Sequence, residues 1–325
     1  MKEVILTAVG GPENFAVRTV KFPGPSPQVP AGTVRVRNAA IGVNFIDIYQ
    51  RKGLYPVSAP CVLGQEGAGV VEEAGDGAPF QKGDRVAYLS GFGAYAEETI
   101  ADAARAALIP AGVTDEAAAA SFLKGLTAEM LLRQVFPLKR GQTALVTAAA
   151  GGVGSLLTPW AAHIGARVIA IVGDAAKAAA AKTNGASDAI DRSATEDTAS
   201  AVRALTDGRG ADVVYDSVGA ATFDASLNSL ALRGTMVTYG NASGPVPPIA
   251  PLELSRRGSL TLARPSLFHY ATPERLPGMA AALFDLIAKG VLKPQIAAVF
   301  PLEKTGEAHR MLEAGKTIGS IILKP

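Results

Sequence analysis

Polar side chains with catalytic potential are concentrated in one stretch of the N-terminal third of the chain. They are Asn44, Asp47, Tyr49, Tyr55, Gln65 and Glu66. Amides and phenols can donate hydrogen bonds to an oxyanion that develops during a reaction. Zinc, in contrast, prefers thiolate, imidazole and carboxylate, and the three histidines (His163, His269 and His309) are scattered without a cysteine partner. The sequence therefore predicts hydrogen-bonding chemistry and no metal site.

A glycine-rich turn that follows an apolar run predicts a phosphate cradle. The run 143–148 is typical of a buried strand, 149–154 is the turn, and a helical pattern follows. Backbone N–H groups and the dipole at a helix start favour an anion. Gly151 would let the backbone approach a pyrophosphate, and Gly154 would let the helix pack closely on the strand. Ala149 stands where the usual fingerprint has its first glycine, but the strand–turn–helix context favours a dinucleotide.

The residues after the second strand of this unit indicate which dinucleotide is bound. In NAD-binding proteins an acidic residue there binds the ribose 2′-hydroxyl, and Val172 makes no such bond. Lys177 can reach a 2′-phosphate as a point charge, and Arg192 can add a second positive contact. Asp174 would repel a phosphate, or it would cap the helix that follows it. The balance favours NADPH over NADH.

Composition limits the class of protein. A chain of 325 residues, 48% hydrophobic and 18% charged, is an ordinary globular protein and is long for one core, so two domains are expected. The charge balance of 31 − 29 = +2 gives no indication of a nucleic-acid or membrane partner. No apolar run approaches the roughly 20 residues that span a bilayer, and the first residues lack a signal-peptide pattern. Cys61, the single cysteine, excludes an internal disulfide and fits a reducing compartment, so we expect a cytoplasmic protein.

The order of predicted elements indicates an α/β fold class. Residues 1 to about 122 carry short strands between close turn signals, which favour a β-rich, barrel-like unit, and a proline-rich loop is predicted at 23–30. Beyond residue 143, strands alternate with helices, which predicts a doubly wound parallel sheet. The predicted strands are a first one at the N-terminus, 33–37, 64–73, 83–88, 93–100, 143–148, 167–172, 188–191, 211–216, 234–239, 258–264, 295–300 and 318–323. The predicted helices are 115–132, 155–164, 175–183, 197–206, 222–231 and 274–289. The last helix and strands do not extend the alternation and could return to the first domain.

Motifs that occur in order over nearly the whole chain resemble one family. They are NFID at 44–47, GLYP at 53–56, GQEGAG at 64–69, SFLKGLT at 121–127, AAAGGVG at 148–154, VVYDSVG at 213–219, YGNASG at 239–244 and RPSL at 264–267. The sequence resembles the NADPH:quinone oxidoreductases, the zeta-crystallin-like, zinc-free branch of the medium-chain dehydrogenase/reductase superfamily. In the zinc enzymes of that superfamily, a cysteine and a histidine that bind catalytic zinc occupy the positions of Asn44 and Gln65.

The resemblance implies a fold and a set of site residues. A GroES-like β-rich catalytic domain, 1–122 and 266–325, is split by a Rossmann NADPH-binding domain, 123–265, with the cofactor in the cleft between them. The residues implied on the catalytic side are Asn44, Asp47 and Tyr49 near the nicotinamide and Tyr55 in the substrate cleft. Those implied to bind NADPH are Asn44, Thr127, Gly151, Gly152, Val153, Gly173, Lys177, Arg192, Ser217, Asn241 and Phe268. This chain departs from many bacterial relatives at Asp174 and Arg192, and at Met130, where a tyrosine often lies near the cofactor.

The function implied by the resemblance is zinc-independent hydride transfer from NADPH to a small-molecule quinone. An NADPH-dependent enone or alkenal double-bond reductase would use the same cofactor placement and would need a proton donor, a role open to Tyr49 or Tyr55. A non-catalytic nucleotide- or RNA-binding protein is a third reading, which the balanced charge and the glycine turn disfavour. By analogy with relatives, strand 258–264 would be the edge through which the nucleotide domains form a homodimer.

Overall fold

The computed structural model describes residues 1–20 and 29–325. Most of the predicted proline-rich loop at 23–30 lies outside these residues. The described chain divides into two compact units, unit 1 with residues 1–126 and 271–325, and unit 2 with residues 127–270. The sequence predicts limits of 123 and 265 for the second domain, a few residues before those of unit 2. No helix among the described residues has the length and apolar character needed to cross a membrane.

The strands are β1 (Lys2–Leu6), β2 (Phe15–Thr19), β3 (Thr33–Val43), β4 (Cys61–Val62), β5 (Glu66–Ala74), β6 (Arg85–Leu89), β7 (Glu98–Asp102), β8 (Ala106–Leu108), β9 (Thr143–Thr147), β10 (Arg167–Val172), β11 (Asp188–Asp191), β12 (Ala211–Asp216), β13 (Leu230–Thr238), β14 (Thr261–Ala263), β15 (Ile296–Pro301) and β16 (Ser320–Lys324). The helices are α1 (Phe45–Arg51), α2 (Asp115–Glu129), α3 (Gly154–Ile164), α4 (Ala175–Thr183), α5 (Thr198–Leu205), α6 (Phe223–Asn228), α7 (Pro251–Arg256), α8 (Leu267–Tyr270), α9 (Leu276–Ala288) and α10 (Thr305–Glu313). A π-helical turn, Met130–Val135, continues α2. Short 3-10 turns lie at Pro12–Asn14, Ala103–Arg105 and Leu302–Lys304.

Unit 1 is β-rich and is organised around β3. Val34 and Val36 point into its core, whereas Arg35 and Arg37 alternate with them and pair with glutamates. The described strands of the main sheet follow the order β15-β16-β3-β5-β6-β8, with β7 also paired to β3, and a smaller sheet has the order β2-β1-β4. Because β16 pairs antiparallel with β3, the expectation that the last strands return to the first domain is confirmed.

Unit 2 contains a parallel sheet with the strand order β11-β10-β9-β12-β13-β14 among the described residues. The order reverses beside β9, which is the arrangement of a doubly wound sheet, so the predicted α/β fold class is confirmed. Leu145, Ile169 and Val214 lie in its core, almost without solvent exposure. In such a sheet ligands bind at the carboxyl ends of the strands where the order reverses. The glycine turn that follows β9 therefore lies at the expected position.

Several predicted elements differ from the structure for local reasons. The helix predicted at 222–231 ends at Asn228, because β13 begins at Leu230 and its backbone is needed for pairing with β12. The predicted strand 258–264 is shorter, and α7 precedes it. The strand predicted at 93–100 begins at Glu98. The sequence analysis did not predict α1, α7, α8 and α10. Helices α1, α7 and α8 have seven residues or fewer, too few for a clear period, whereas α10 is an amphipathic helix of nine residues that was overlooked.

Helix α3 contains a proline in its middle, and a side chain from the next βα unit compensates for it. Pro159 has no N–H, so the carbonyl of Ser155, four residues earlier, loses its helical partner. Asn184, the C-cap of α4, donates from Nδ2 to that carbonyl at 2.5 Å. The first turn of α3 is thus completed by a residue that a local reading of α3 would not include.

We expect Asn184→Ala to lower the free energy of unfolding by about 1–3 kcal/mol, because it leaves the buried Ser155 carbonyl without a donor. In a Pro159→Ala background the restored N–H satisfies that carbonyl, so the same substitution should cost much less. Urea denaturation of wild type, Asn184→Ala, Pro159→Ala and the double variant measures the cost of Asn184→Ala in each background. Lys182→Ala, at an exposed position in the last turn of α4, is the control and should change stability by less than about 0.5 kcal/mol. Equal costs in the two backgrounds would contradict the compensation.

Candidate functional site

The glycine turn of unit 2 leaves the start of α3 open to a ligand. Ala148 has φ 48°, a left-handed conformation, whereas Ala149 does not, so alanine at the first glycine position meets no backbone restriction. A Cβ at Gly154 would lie 2.3 Å from the Ala148 carbonyl oxygen, which explains why this position needs glycine. The N-cap of α3 is Val153, and it provides no side-chain cap. The Gly151 N–H donates to the Ala148 carbonyl at 2.8 Å and closes the turn. The backbone N–H groups of Gly152 and Val153 are therefore the ones suited to hold a phosphate.

Lys177 and Asp174 interact at the start of α4. Asp174 caps the helix by accepting from the Lys177 backbone N at 2.8 Å, which confirms the capping alternative. The Lys177 ammonium lies 2.9 Å from the other carboxylate oxygen. These hydrogen bonds hold the pKa of Asp174 below its ordinary value. A 2′-phosphate at Lys177 would therefore compete with Asp174 for the ammonium, and Gly173, which is exposed, leaves space beside it.

Arg192 follows β11 and lines a polar cavity of about 340 Å³ within unit 2. Its backbone N–H bonds to the Val172 carbonyl at 2.9 Å, so the ends of β10 and β11 are held together. Thr147, Asp197 and Asp224 also line the cavity. The guanidinium side chain is exposed and lies among carboxylates as well as hydroxyls. The structure thus brings Arg192 to the same edge of the sheet as Lys177.

The loop after β12 is fixed by the buried carboxylate of Asp216 and is bonded to the end of β9 through its backbone. Asp216 accepts from the backbone N–H groups of Val218 and Gly219 at 2.8 and 3.0 Å, and from the Ser226 hydroxyl at 2.7 Å. Ser217, a predicted cofactor contact, donates its backbone N–H to the Thr147 hydroxyl at 3.0 Å. Ser217 therefore lies beside the strand that leads into the glycine turn, and a fixed loop holds it there.

The remaining predicted cofactor residues of unit 2 lie on three other elements. Asn241 follows β13, and with its amide oriented to satisfy both groups its oxygen accepts from Arg264 at 3.0 Å. Thr127 is buried in the last turn of α2, and Phe268 is half-buried in α8. Met130 is buried at the start of the π-helical turn and packs in the interior. The contacts of Asn241, Thr127 and Phe268 with a cofactor stay predictions.

In unit 1 the predicted catalytic residues are brought together by α1. Asn44 is the N-cap of this helix and forms a capping box with Asp47: the Asn44 side chain accepts from the Asp47 backbone, and Asp47 Oδ2 accepts from the Asn44 backbone N at 2.8 Å. Tyr49 lies one turn on, and its ring packs edge-to-face on Tyr55 with centroids 5.4 Å apart. Asn44, Asp47, Tyr49 and Tyr55 therefore form one cluster.

Asp47 faces the interior of unit 1, where a second set of polar groups surrounds it. The Tyr95 hydroxyl lies 3.0 Å from Asp47 Oδ2 and 2.9 Å from His309 Nε2. Burial raises the pKa of Asp47 to about 7, although hydrogen bonds from Asn44 and Tyr95 oppose the shift. Burial lowers the pKa of His309 to about 3, so its ring is neutral. Because Asp47 has no solvent exposure, the geometry favours a positioning role over the predicted place beside a nicotinamide.

At positions 44 and 65, where the zinc enzymes of the superfamily have zinc ligands, this chain has amides that already donate hydrogen bonds within the protein. Asn44 Nδ2 donates to Glu66 Oε1 at 2.9 Å, and Gln65 Nε2 donates to Gln50 Oε1 at 3.2 Å and to the Gly91 carbonyl. Among residues 1–20 and 29–325 no group of three histidine, cysteine or acidic side chains is arranged to hold a metal ion. Neutral amides are poor zinc ligands. The residues present therefore do not fit a catalytic zinc.

Sequence reasoning missed three functional candidates that only the tertiary structure reveals. Lys124 forms an ion pair with Glu66 at 2.7 Å, and both side chains are almost completely buried. Tyr95 and His309 support Asp47 from distant parts of the chain. Lys124 belongs to the motif SFLKGLT at 121–127, and this membership was the one indication in the sequence that it has a functional role. Nothing in the spacing of the other two residues connects them.

The comparisons with known proteins agree with this architecture. The family model of the alcohol dehydrogenase GroES-like domain matches residues 30–111, and that of the zinc-binding dehydrogenases matches residues 152–288. A quinone oxidoreductase of Pseudomonas aeruginosa is 45% identical over 100% of this chain and 99% of its own length. A 2-haloacrylate reductase of a Burkholderia species is 43% identical over 97% of this chain and 96% of its own. The solved structure of Escherichia coli quinone oxidoreductase complexed with NADPH is 42% identical and has a TM-score of 0.95, with both chains covered completely.

The fold and the family matches together show that the chain is a medium-chain dehydrogenase/reductase, with a GroES-like domain and a Rossmann domain. Within that class the chain belongs to the quinone oxidoreductase family. The predicted resemblance is thereby confirmed, whereas the roles of the individual site residues stay predictions.

Replacing Asp47 by asparagine should change the pH dependence of stability. Its folded pKa of about 7 exceeds the ordinary value of 3.8, so the stability contributed by this group is present below about pH 4 and is lost as pH rises through about 7. Asp47→Asn keeps an oxygen for both accepted hydrogen bonds and removes the titration. Its free energy of unfolding relative to wild type should therefore rise by a few kcal/mol, to order of magnitude, between about pH 5 and about pH 8.

Urea denaturation at the two pH values measures this difference. His309 acts in the opposite direction, because its lowered pKa gives stability that is lost as pH falls from about 6.5 towards 3. It is present in both proteins, so its contribution cancels in the comparison. A difference between the two proteins that does not vary with pH would show that Asp47 is ionised throughout this range.

Proposed function

We propose that the chain is an NADPH:quinone oxidoreductase that works without zinc. The observation that carries the proposal is the uncapped glycine turn at the start of α3, in a chain that matches quinone oxidoreductases over its full length. The turn supplies backbone donors for a pyrophosphate. Positions 44 and 65 hold amides, which supports chemistry without a metal. The relative whose structure contains NADPH supports this cofactor.

In the proposed complex, unit 2 holds the nucleotide through three groups of residues. Gly152 and Val153 bind the pyrophosphate with backbone N–H groups, and Gly151, whose own N–H is bonded to the Ala148 carbonyl, lets the backbone approach it. Lys177 binds a 2′-phosphate through its ammonium group, in competition with Asp174. The other residues in this set are Thr127, Gly173, Arg192, Ser217, Asn241 and Phe268. Bound NADPH supplies a hydride, and with one proton from solvent the quinone becomes a hydroquinone and the nucleotide becomes NADP⁺.

The cluster in unit 1 is suited to a flat acceptor. Tyr49 and Tyr55 present edge-to-face rings against which a quinone can pack. A quinone accepts hydride directly, and its oxyanion needs hydrogen-bond donors or water rather than a Lewis acid. Asp47 holds the start of α1 and does not deliver the proton, since its carboxylate has no solvent exposure. Asn44 is the residue of this cluster that we place near the nicotinamide.

An acceptor panel tests this function. NADPH oxidation is measured with 1,4-benzoquinone, 9,10-phenanthrenequinone and an alkenal, before and after dialysis against a chelator. We expect quinone turnover that the chelator does not change, with a loss of about tenfold or more in Tyr55→Ala and a smaller loss in Tyr49→Phe, at unchanged NADPH affinity. Bound NADPH without oxidation by any acceptor would overturn the enzyme proposal. Unchanged kinetics in both variants would remove the two tyrosines from the site.

Nucleotide selectivity tests the phosphate site. Lys177→Ala should weaken NADPH binding about tenfold and leave NADH binding nearly unchanged, because it removes one charge-assisted contact to the 2′-phosphate. Arg192→Ala should have a smaller effect in the same direction. Lys182→Ala removes an exposed charge from the same helix and is the matched control. Fluorescence titration with both nucleotides measures the ratio, and full selectivity in both site variants would refute the assignment.

One alternative has a specific observation in its favour. The full-length similarity to a 2-haloacrylate reductase supports reduction of an activated carbon–carbon double bond with the same cofactor. That reaction needs a proton at the neighbouring carbon, for which Tyr49 or Tyr55 would be the donor. Turnover of the alkenal in preference to both quinones would favour it. The homodimer and the cytoplasmic location stay predictions.

A further inference from the structure

The carboxylate of Glu66 is completely buried and is saturated with donors. Its Oε1 accepts from Lys124 Nζ at 2.7 Å and from Asn44 Nδ2 at 2.9 Å. Its Oε2 accepts from the Leu123 backbone N at 2.7 Å. The end of β3, the start of β5 and the middle of α2 therefore meet at a single side chain. All of these residues belong to unit 1.

These bonds leave Asn44 a single amide orientation. Its oxygen is used by the capping box, and its Nδ2 has one strong acceptor, Glu66, and a weaker contact of 3.4 Å with the Gly42 carbonyl. Exchanging oxygen and nitrogen would place two oxygens against each other and two donors against each other. Glu66 thus decides which face of the Asn44 amide donates.

Close packing fixes the carboxylate itself. A Cβ at Gly42 would lie 2.2 Å from Glu66 Oε1 and 2.5 Å from the Ala119 carbonyl oxygen. A side chain at this position would therefore displace the carboxylate or α2. Glycine lets β3 and α2 approach until Glu66 fills the space between them. The residues that support Asn44 are held by packing as well as by charge, which is how a preorganised site is built.

Stability alone does not explain this ion pair. Lys124 and Glu66 are 5% and 0% exposed, so both charges have lost their hydration. Replacing a buried ion pair by neutral groups of similar size is often neutral or stabilising, whereas removing one partner is strongly destabilising. A pair with little net benefit for stability is better explained by the geometry that it imposes on Asn44.

We infer that Glu66, with Lys124 as its counter-charge, is a positioning residue that orients the Asn44 amide for the nicotinamide end of the cofactor. The inference rests on the proposed function, which places Asn44 there. Glu66 acts through Asn44 and does not touch the cofactor. Its effect on binding and turnover must therefore disappear when the Asn44 amide is absent, and this separates positioning from a general structural role.

The test is a double-mutant cycle. Glu66→Gln combined with Lys124→Met removes both charges together, so no buried charge is left unpaired. Asn44 Nδ2 and Leu123 N bond different oxygens of Glu66. In glutamine one of these oxygens becomes an NH2 group, which cannot accept, so one donor loses its partner and the hold on Asn44 is weakened. Asn44→Ser keeps an N-cap acceptor but removes the amide donor. NADPH affinity is measured by fluorescence titration, quinone turnover by NADPH oxidation, and the free energy of unfolding by urea denaturation.

In the wild-type background we expect the charge-removing pair to weaken NADPH binding about fivefold and to lower kcat about tenfold. In the Asn44→Ser background both changes should be less than about twofold. Glu66→Asp keeps the charge opposite Lys124 but shortens the reach to Asn44, so it should reproduce the loss if the first variant does not fold. Glu303→Gln removes one partner of the Lys2 ion pair, which lies in the same unit but outside α2 and β5, and should leave both readouts unchanged.

Equal losses in the two backgrounds, or no loss in either, would overturn the positioning role. A wild-type protein that binds NADPH but reduces no quinone would refute the proposed function alone, because the affinity cycle would still decide the role of Glu66. A wild-type protein that binds no NADPH would overturn both.

Discussion

The start of α1 depends on two carboxylates that have no contact with solvent, Asp47 and Glu66. Both oxygens of Glu66 accept hydrogen bonds, from Asn44 and from α2. Asp47 accepts on Oδ2 alone, from Asn44 and Tyr95, and its Oδ1 has no partner. Asn44 therefore donates to both carboxylates, from its backbone N to Asp47 and from Nδ2 to Glu66. The position of the predicted catalytic cluster is consequently set by the whole of unit 1 rather than by the motif 44–47 alone. A substitution in α2 or in β5 can therefore alter the cluster without touching it.

In unit 2 the start of one helix, α3, is left without a side-chain cap, in contrast to the capped start of α1. The N-terminal N–H groups of α4 and α5 are capped by Asp174 and Asp197, whose side chains accept from the third residue of each helix. The start of α3 has no side-chain cap. An uncapped helix start carries unsatisfied donors and a positive dipole end, which makes it the best anion site of these three. The capped neighbours and the open start of α3 support the proposal that a pyrophosphate binds at the glycine turn.

The sequence predicted the regular part of unit 2 closely and the site of unit 1 only partly. Strands β10, β11 and β12 and helix α4 match the predicted ranges, because a buried strand bounded by caps and turns has a strong local signal. Helix α1 has a local capping box but only seven residues, too few for a clear period. Lys124, Tyr95 and His309 could not be assigned to the site, because only tertiary contacts bring them to Glu66 and Asp47. The set of residues that positions Asn44 and Asp47 is thus determined by the tertiary fold and not by the local sequence.

The amides at positions 44 and 65 change how a site in this fold can be organised. A metal ion fixes its ligands by strong coordination, whereas an amide must be fixed by its own hydrogen-bond partners. Gln65 obtains them from Gln50 and a loop carbonyl, and Asn44 obtains them from Asp47 and Glu66. This arrangement provides oriented donors but no Lewis acid. It matches the needs of an acceptor such as a quinone, which takes a hydride readily and requires only that the resulting oxyanion be solvated. The hydrogen bonds that orient Asn44 therefore explain how unit 1, with amides at positions 44 and 65, is suited to the proposed reaction.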